Sequence, residues 1–354
     1  MLSLRATVLP DPHWVDFVLQ HLNPGLSLSR TLARLEAIRS ETPDTKTFVL
    51  RPASGPLSFV AGQSIPIRVV LGGVVHERHY SPTSTPGEPT LSITVRHHPG
   101  GRVSGWLHEH ARAGDIVELG PAAGSFVLPE SIPARALFIA GGSGITAVLA
   151  VLRAALRADP ATDACLLYYA RRPCDFAFAD ALQQLERRHA SLQVHRLVQQ
   201  PDDGSAGAGH FSAAHLEAFV PDHAQREVFV CGPPGLLRAV TRHWTEAGLA
   251  AQLHSEAFAP ALDDDSAEAR PSVAVHFRRS SRTVDGAEST LLAIAEAAGL
   301  RPPSGCRMGI CHTCACTKVS GVVRDRVTGA VDREAGSRIR LCVSQPLGPV
   351  TLDL

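Results

Sequence analysis

The rhythm of hydrophobic positions changes twice along the chain, and each change marks a boundary. From residue 31 to about 128, apolar side chains recur at every second position in short runs cut by Gly and Pro, the signature of strands with one buried face. These runs are Ala33 to Ile38, Thr45 to Leu50, Ile65 to Leu71, Val74 to Tyr80, Thr90 to Val95 and Asp115 to Leu119. Gly72-Gly73 between the third and fourth predicts a hairpin, and the whole set predicts an antiparallel β-barrel over residues 31–132. A helical pattern follows the fifth run, around Trp106 to Arg112. Near residue 134 the apolar runs Ala136 to Ala140, Cys165 to Ala170, Leu192 to Val198 and Val228 to Cys231 begin to alternate with helical periodicity. The helical stretches are Thr146 to Ala158, Asp180 to His189 and Pro234 to Ala247. This alternation predicts an α/β unit with a doubly wound parallel sheet over residues 133–258.

Residues 259–271 are acidic and bounded by Pro260 and Pro271, without apolar periodicity, and read as a linker. Beyond it, over residues 272–354, strands near Val273 to Phe277 and Arg282 to Val284 and a helix from Ser289 to Ala298 precede a cysteine-rich loop. Residues 1–30 form an N-terminal segment with a helical pattern around Trp14 to Leu22.

Composition then narrows the function. Thirty-four basic residues balance 34 acidic ones, which argues against a nucleic-acid partner or an acidic tail. The longest uncharged stretch, Ala136 to Leu152, falls short of the roughly 18–20 apolar residues that span a bilayer, and glycines interrupt it. No cationic segment with a long apolar run opens the chain, so a cytoplasmic protein without membrane insertion is expected. There the eight cysteines stay reduced or ligated, and five of them lie between Cys306 and Cys342.

Cys306, Cys311 and Cys314 form C-x4-C-x2-C, and Cys342 follows at a distance, which is the ligand spacing of a plant-type [2Fe-2S] centre. A zinc ribbon would normally carry two C-x2-C knuckles, and only one is present. A Rieske centre needs paired His ligands, which His312, directly after Cys311, does not supply. Cys316 is left as a structural thiol.

The run Ser304 to Cys314, Ser-Gly-Cys-Arg-Met-Gly-Ile-Cys-His-Thr-Cys, with Leu341-Cys342-Val343, resembles the [2Fe-2S] ferredoxin domain of modular flavin reductases. The resemblance covers most of residues 31–354. It implies a ferredoxin reductase-like oxidoreductase with a C-terminal β-grasp ferredoxin domain, similar to the NAD(P)H reductases that serve membrane fatty-acyl desaturases.

Arg78-His79-Tyr80-Ser81 matches that family's flavin motif: the guanidinium pairs with phosphate, the phenol lies beside the isoalloxazine, and the hydroxyl reaches the flavin edge. Gly101, Arg102, Val103 and Ser104 match the second flavin-phosphate motif, and FAD rather than FMN is implied. A plain turn with a surface ion pair at Arg78 is the alternative. His76, His79, His97, His98, His108 and His110 read as scattered solvated residues rather than metal ligands.

Gly141, Gly142, Gly144, Ile145 and Thr146, between a buried strand and a helix, suit a dinucleotide's phosphates or ribose, although packing alone also explains such glycines. In the resembling family this loop and Cys231-Gly232-Pro233 enclose the nicotinamide, with Thr146 and Cys231 near the hydride path. Cys231 is otherwise an ordinary buried cysteine. Ala147 stands where the family usually has Pro. Phe258 matches an aromatic that closes the flavin site, or is a core residue. Arg171-Arg172, just past a strand end, favours NADPH over NADH, with Asp175 as a competing partner for one arginine.

Together these imply hydride transfer from NAD(P)H to FAD, with Tyr80, Ser81, Thr146 and Cys231 at the reacting groups. Single electrons would then leave through the cluster to an oxygen-activating acceptor. The resemblance points to a fatty-acyl desaturase. The alternatives are the reductase component of a ring-hydroxylating oxygenase or other monooxygenase, and, in another class, a redox sensor or electron carrier without turnover. The linker suggests a ferredoxin domain that swings between flavin and acceptor.

Overall fold

The computed structural model describes Asp16 and residues 27–200, 209–258, 272–286, 289–309 and 311–354. The expected linker and most of the expected N-terminal helix lie outside these residues.

The first unit holds six antiparallel strands: β1 (Thr31–Thr42), β2 (Thr45–Pro52), β3 (Ile65–Leu71), β4 (Val74–Tyr80), β5 (Leu91–Arg96) and β6 (Ile116–Leu119). Their order is β4-β3-β6-β1-β2-β5, and a bridge between Pro82 and Ile93 joins the two edges into a barrel. Leu35, Phe48, Leu50, Ile65, Ile67 and Ile93 come from the inward positions of the alternation and are almost wholly buried. Each such side chain contributes roughly 1.5–3 kcal/mol of burial. The helix expected near Trp106 is α1 (Arg102–Glu109). It starts earlier because Gly100, at φ +74°, turns the chain directly into it. Val103, Leu107 and Ala111 form its buried face, the last lying past the helix end.

The second unit is a parallel sheet of β7 (Arg135–Gly141), β8 (Asp163–Ala170), β9 (Leu192–Val198), β10 (Glu227–Gly232) and β11 (Leu253–Ala257), ordered β11-β10-β7-β8-β9. Helices α2 (Ile145–Ala158), α3 (Ala179–Arg188), α4 (Ala213–Phe219) and α5 (Pro234–Glu246) connect the strands. The strand order reverses between β7 and β10, and the crevice beyond their C-terminal ends is where such sheets bind ligands. Neither α4 nor β11 was expected; β11 carries polar His254, Ser255 and Glu256 and lacks an apolar run.

The third unit is a mixed sheet, β13-β12-β19-β14-β17, with a three-stranded companion, β16-β15-β18, and one helix, α6 (Leu291–Ala297). Its strands are β12 (Val273–Phe277), β13 (Arg282–Gly286), β14 (Ala315–Ser320), β15 (Val323–Asp325), β16 (Val331–Asp332), β17 (Arg338–Arg340), β18 (Ser344–Pro346) and β19 (Val350–Leu352). Lys318 is fully buried here. Its ammonium donates to the carbonyls of Gly321, Asp332 and Glu334 at 2.9, 3.3 and 2.7 Å and faces Asp332 Oδ1 at 3.2 Å. No helix among the described residues is long and apolar enough to cross a membrane.

Candidate active site and iron–sulfur centre

The flavin motif lies on the edge strand β4 and the turn after it. Arg78 is exposed, and its guanidinium donates to the Glu77 carbonyl at 2.7 Å. Burial raises the Tyr80 phenol far above its ordinary range and keeps it protonated. Ser81 Oγ is buried without a hydrogen-bond partner, an unusual state for a hydroxyl that a flavin edge would satisfy. Beside β4, the N-terminus of α1 has no side-chain cap at Gly101 and no acidic residue in its first turn. A Cβ on Gly101 would lie 2.3 Å from Ser104 Oγ and 3.0 Å from the His98 carbonyl, so the turn leaves little room for a side chain. Val103 is buried in the barrel and Ser104 packs under the turn, so only Arg102 projects outward. Free amides at a helix start, with Arg78 and Arg102 nearby, make an anion site suited to the flavin phosphates.

His79, the variable residue of the motif, is buried between Ser64 Oγ at 3.3 Å and Glu77 Oε1 at 3.5 Å. Burial lowers its pKa, while the nearby Cys311 and Glu77 oppose that shift. The barrel strand is thus in electrostatic reach of the cysteine loop.

Sequence reasoning missed Glu256. It sits on β11 opposite Cys231, fully buried, with Oε2 unpartnered. Burial pushes its pKa up to about 8, against an opposing pull from Arg340 of the third unit. Because β11 carries no apolar run, its sequence held no signal that Glu256 would be buried. Phe258, half-buried, packs on the core that contains Cys231 and Phe229, as the core reading expects.

The second site is a cavity of about 620 Å³ between barrel and sheet. Gly141, Gly142, Ile145, Thr146, Arg171 and Pro233 line it, whereas Gly144, Gly232, Cys231 and Arg172 do not. The glycines divide by role. A Cβ on Gly144 would lie 2.2 Å from the Cys231 carbonyl, one on Gly141 2.7 Å from Pro233, and one on Gly232 3.0 Å from Gly141 N. Close packing of the two turns therefore demands these three. A Cβ on Gly142, at φ +52°, would meet nothing closer than Arg96 at 4.0 Å, so this position opens toward the cavity. Burial raises the Cys231 thiol well above its ordinary range, so it stays neutral. Thr146 Oγ1 donates to the Ser143 carbonyl at 3.1 Å. Arg172 pairs with Asp175 at 3.0 Å, while the Arg171 guanidinium has no partner among the described residues. The barrel adds Thr45, Thr94 and Arg96 to the wall, and Arg96 is held by Asp44 at 2.7 Å. These three lie far from the glycine loop in sequence, which is why it gave no hint of them.

In the third unit the cysteine thiols fall into two pairs. The amides of Met308 and Cys311 donate to Cys306 Sγ, and that of Cys306 to Cys311 Sγ, each at 3.3 Å. The hydrogen bond between the first pair draws the Cys311 thiol down to about 4, and that between Cys314 and Cys342 draws Cys314 to about 7 while pushing Cys342 well up. Thiolate is the ligand form. Arg307 and His312, at φ +57° and +56°, are non-glycine residues in the left-handed region and bend the loop around the sulfurs. Among the described residues no three His, Cys, Asp or Glu side chains converge on a single ion position. Two thiol pairs suit two irons and not one zinc. Cys316 is buried and contacts the Thr317 carbonyl, consistent with a structural thiol.

The three units match known families in order. The oxidoreductase FAD-binding domain matches residues 32–127, the oxidoreductase NAD-binding domain residues 138–242, and the 2Fe-2S iron-sulfur cluster binding domain residues 275–347. Fold and site define an NAD(P)H oxidoreductase with FAD, a [2Fe-2S] cluster and a pyridine nucleotide as its cofactors. An NADPH oxidoreductase of Mycobacterium tuberculosis is 34% identical over 99% of this chain and 90% of its own. The glycine betaine monooxygenase reductase subunit of Pseudomonas aeruginosa is 30% identical over 92% of this chain and 95% of its own. Among solved structures, phthalate dioxygenase reductase superimposes with a TM-score of 0.59 at 27% identity, covering 92% of this chain and 98% of that one. The chain belongs to this family of ferredoxin reductase-like flavin and iron–sulfur oxidoreductases.

Proposed function

We propose that the protein is the reductase component of an oxygenase, oxidising NADPH and passing electrons on one at a time. The observation that carries this reading is the seat of the cysteine loop: Met308, Gly309 and Arg340 share one small void with Phe126 of the first unit and Glu256 of the second. Cys306, Cys311, Cys314 and Cys342 would hold a cluster there, beside the junction of the three units. When bound, FAD supplies the conversion of a hydride into single electrons, and the [2Fe-2S] centre supplies the one-electron exit.

The chain's own residues bind, orient and exclude. Arg78, Arg102 and the first amides of α1 hold the flavin phosphates, and the unpartnered Ser81 hydroxyl donates to the flavin edge. Gly142 and the start of α2 take the nucleotide phosphates, and Thr146 fixes the turn. Arg171 reads the 2′-phosphate, since Asp175 already occupies Arg172. The acceptor follows from the relatives above, two of which are named for oxygenases, while none is named for the desaturase that the resemblance suggested. Eight free thiols suit a reducing compartment, and we place the protein in the cytoplasm.

The test is anaerobic mixing with NADPH or NADH, followed by steady-state reduction of ferricyanide. Bleaching of the flavin and cluster absorbance with turnover, faster for NADPH, is expected. Bleaching without turnover would return the sensor reading, and a clear NADH preference would remove the role given to Arg171.

A further inference from the structure

The cysteine loop has two unlike sides. Its inner side, Met308 and Gly309 with Arg340 behind them, is packed against Phe126 and Glu256. Its outer side, Gly305, Arg307 and Thr313, is open to solvent, and His312, which also lines the small void shared with the other two units, is exposed at the rim. Three arginines lie on or next to the loop in the chain or the sheet. Arg307 is held by a fork onto Glu296 of α6, at 3.0 and 2.6 Å, yet its side chain stays 58% exposed. Arg301, on the extended approach to the loop, and Arg338, on β17, are exposed and make no ion pair among the described residues. Arg338 lies close enough to His312 to bear on its charge, and Arg307 to Cys314 and Cys342 to do the same.

The imbalance extends to the whole unit. Residues 272–354 carry eleven basic against seven acidic side chains, in a chain with no net charge. Lys318 is buried, and Arg340 is tied to Asp325 at 2.8 Å, so neither adds an unpaired charge to the surface. Of the remaining basic residues, Arg278 and Arg279 share Asp353, while Arg301 and Arg338 stay exposed and without an ion pair among the described residues.

From this we infer that Arg301, Arg307 and Arg338 form the docking face for the electron acceptor, and that the acceptor presents an acidic surface there. The inference rests on the reductase reading above. The ferredoxin unit receives on its packed side and delivers on its open side, so the expected swing is not required for delivery. One electron crosses this face: the reduced cluster returns to its oxidised level, and the acceptor's metal falls by one in oxidation number. No bond forms or breaks and no proton crosses. Opposite charges raise the encounter rate and lose that advantage as salt screens them.

The test uses two one-electron probes of opposite charge, acidic cytochrome b5 and basic cytochrome c, in stopped flow with the FAD- and cluster-loaded protein and NADPH. Reduction of cytochrome b5 should be faster at low ionic strength and fall as salt rises, with cytochrome c showing the opposite trend. The double variant Arg301→Glu, Arg338→Glu should slow cytochrome b5 by about tenfold at low salt and reverse the salt trend. Calorimetric titration of the oxidised protein with cytochrome b5 should weaken in parallel. Salt-insensitive rates, or rates and affinity unchanged in the double variant, would overturn the docking face. Cluster bleaching by NADPH, recorded in the same mixtures, reports separately on the reductase reading: its loss in the unaltered protein would overturn that reading instead.

Discussion

Replacing Glu256 by Gln gives the most direct check on the three-way junction. Burial holds the carboxyl's pKa at about 8 in the fold, against an ordinary 4.5. The unfolded chain therefore loses this proton near pH 4.5, while the folded chain keeps it until about pH 8. Between those values folding takes up a proton, so the contribution of Glu256 to stability becomes steadily more unfavourable as pH rises, then levels off above pH 8. At pH 7 the gap of 2.5 pH units above 4.5 corresponds to about 3 kcal/mol. The group is fully buried, so solvent screening takes little from that figure. Gln keeps the shape and removes the titration. Glu256→Gln should accordingly raise the thermal midpoint at pH 7 by about 5 °C and leave it nearly unchanged at pH 4.5. The assay is differential scanning fluorimetry of the FAD-loaded protein from pH 4.5 to 9, with wild type and variant in parallel. Parallel curves across that window would refute the reasoning, because they would mean that Glu256 is ionised in the fold.

Four further outcomes are expected. Cys311→Ser should abolish the visible absorbance of the cluster and the bound iron and sulfide, whereas Cys316→Ser should retain all three. Gly144→Ala drives a Cβ to 2.2 Å from the Cys231 carbonyl, and should cost about 1–3 kcal/mol in urea unfolding while weakening NADPH binding in fluorescence titration. Arg171→Ala should lower kcat/KM for NADPH by about tenfold and leave NADH unchanged, as loss of one charge-assisted contact requires. Lys318→Met strands three carbonyls in the interior, and the cluster absorbance should melt out at lower temperature, reflecting a loss of about 3 kcal/mol.

Most strands were legible because each buries one face or both, and burial writes itself into period-two or continuous apolar runs. Ile65 to Leu71 and Val74 to Tyr80 pair over their full length about Gly72-Gly73, as the pattern said. What stayed hidden follows a different physics. β11 is held by its parallel partner β10 and carries Glu256 for the junction, so its sequence does not look like a strand. The short strands β15 to β18 are organised by backbone hydrogen bonds and by the Lys318 ammonium, with too few residues to establish a period. In the site, the cysteine spacing was readable because ligand geometry is local along the loop. The cavity walls from Thr94 and Arg96 were not, since they arrive through the packing of one unit on another. The glycines divide: Gly144 and Gly232 are demanded by the neighbouring turn, the packing role that the sequence left open beside phosphate binding.

That contact between Gly144 and the Cys231 carbonyl has a bearing on redesign. It packs the turn after β7 against the turn after β10 as a single piece, so neither can be exchanged for a homologue's turn without importing the other. Arg171, at the far end of β8 and free of that packing, is a separate dial. On the reading of Arg171 proposed above, coenzyme choice can be retuned there by point substitution with the packing of the two turns left intact.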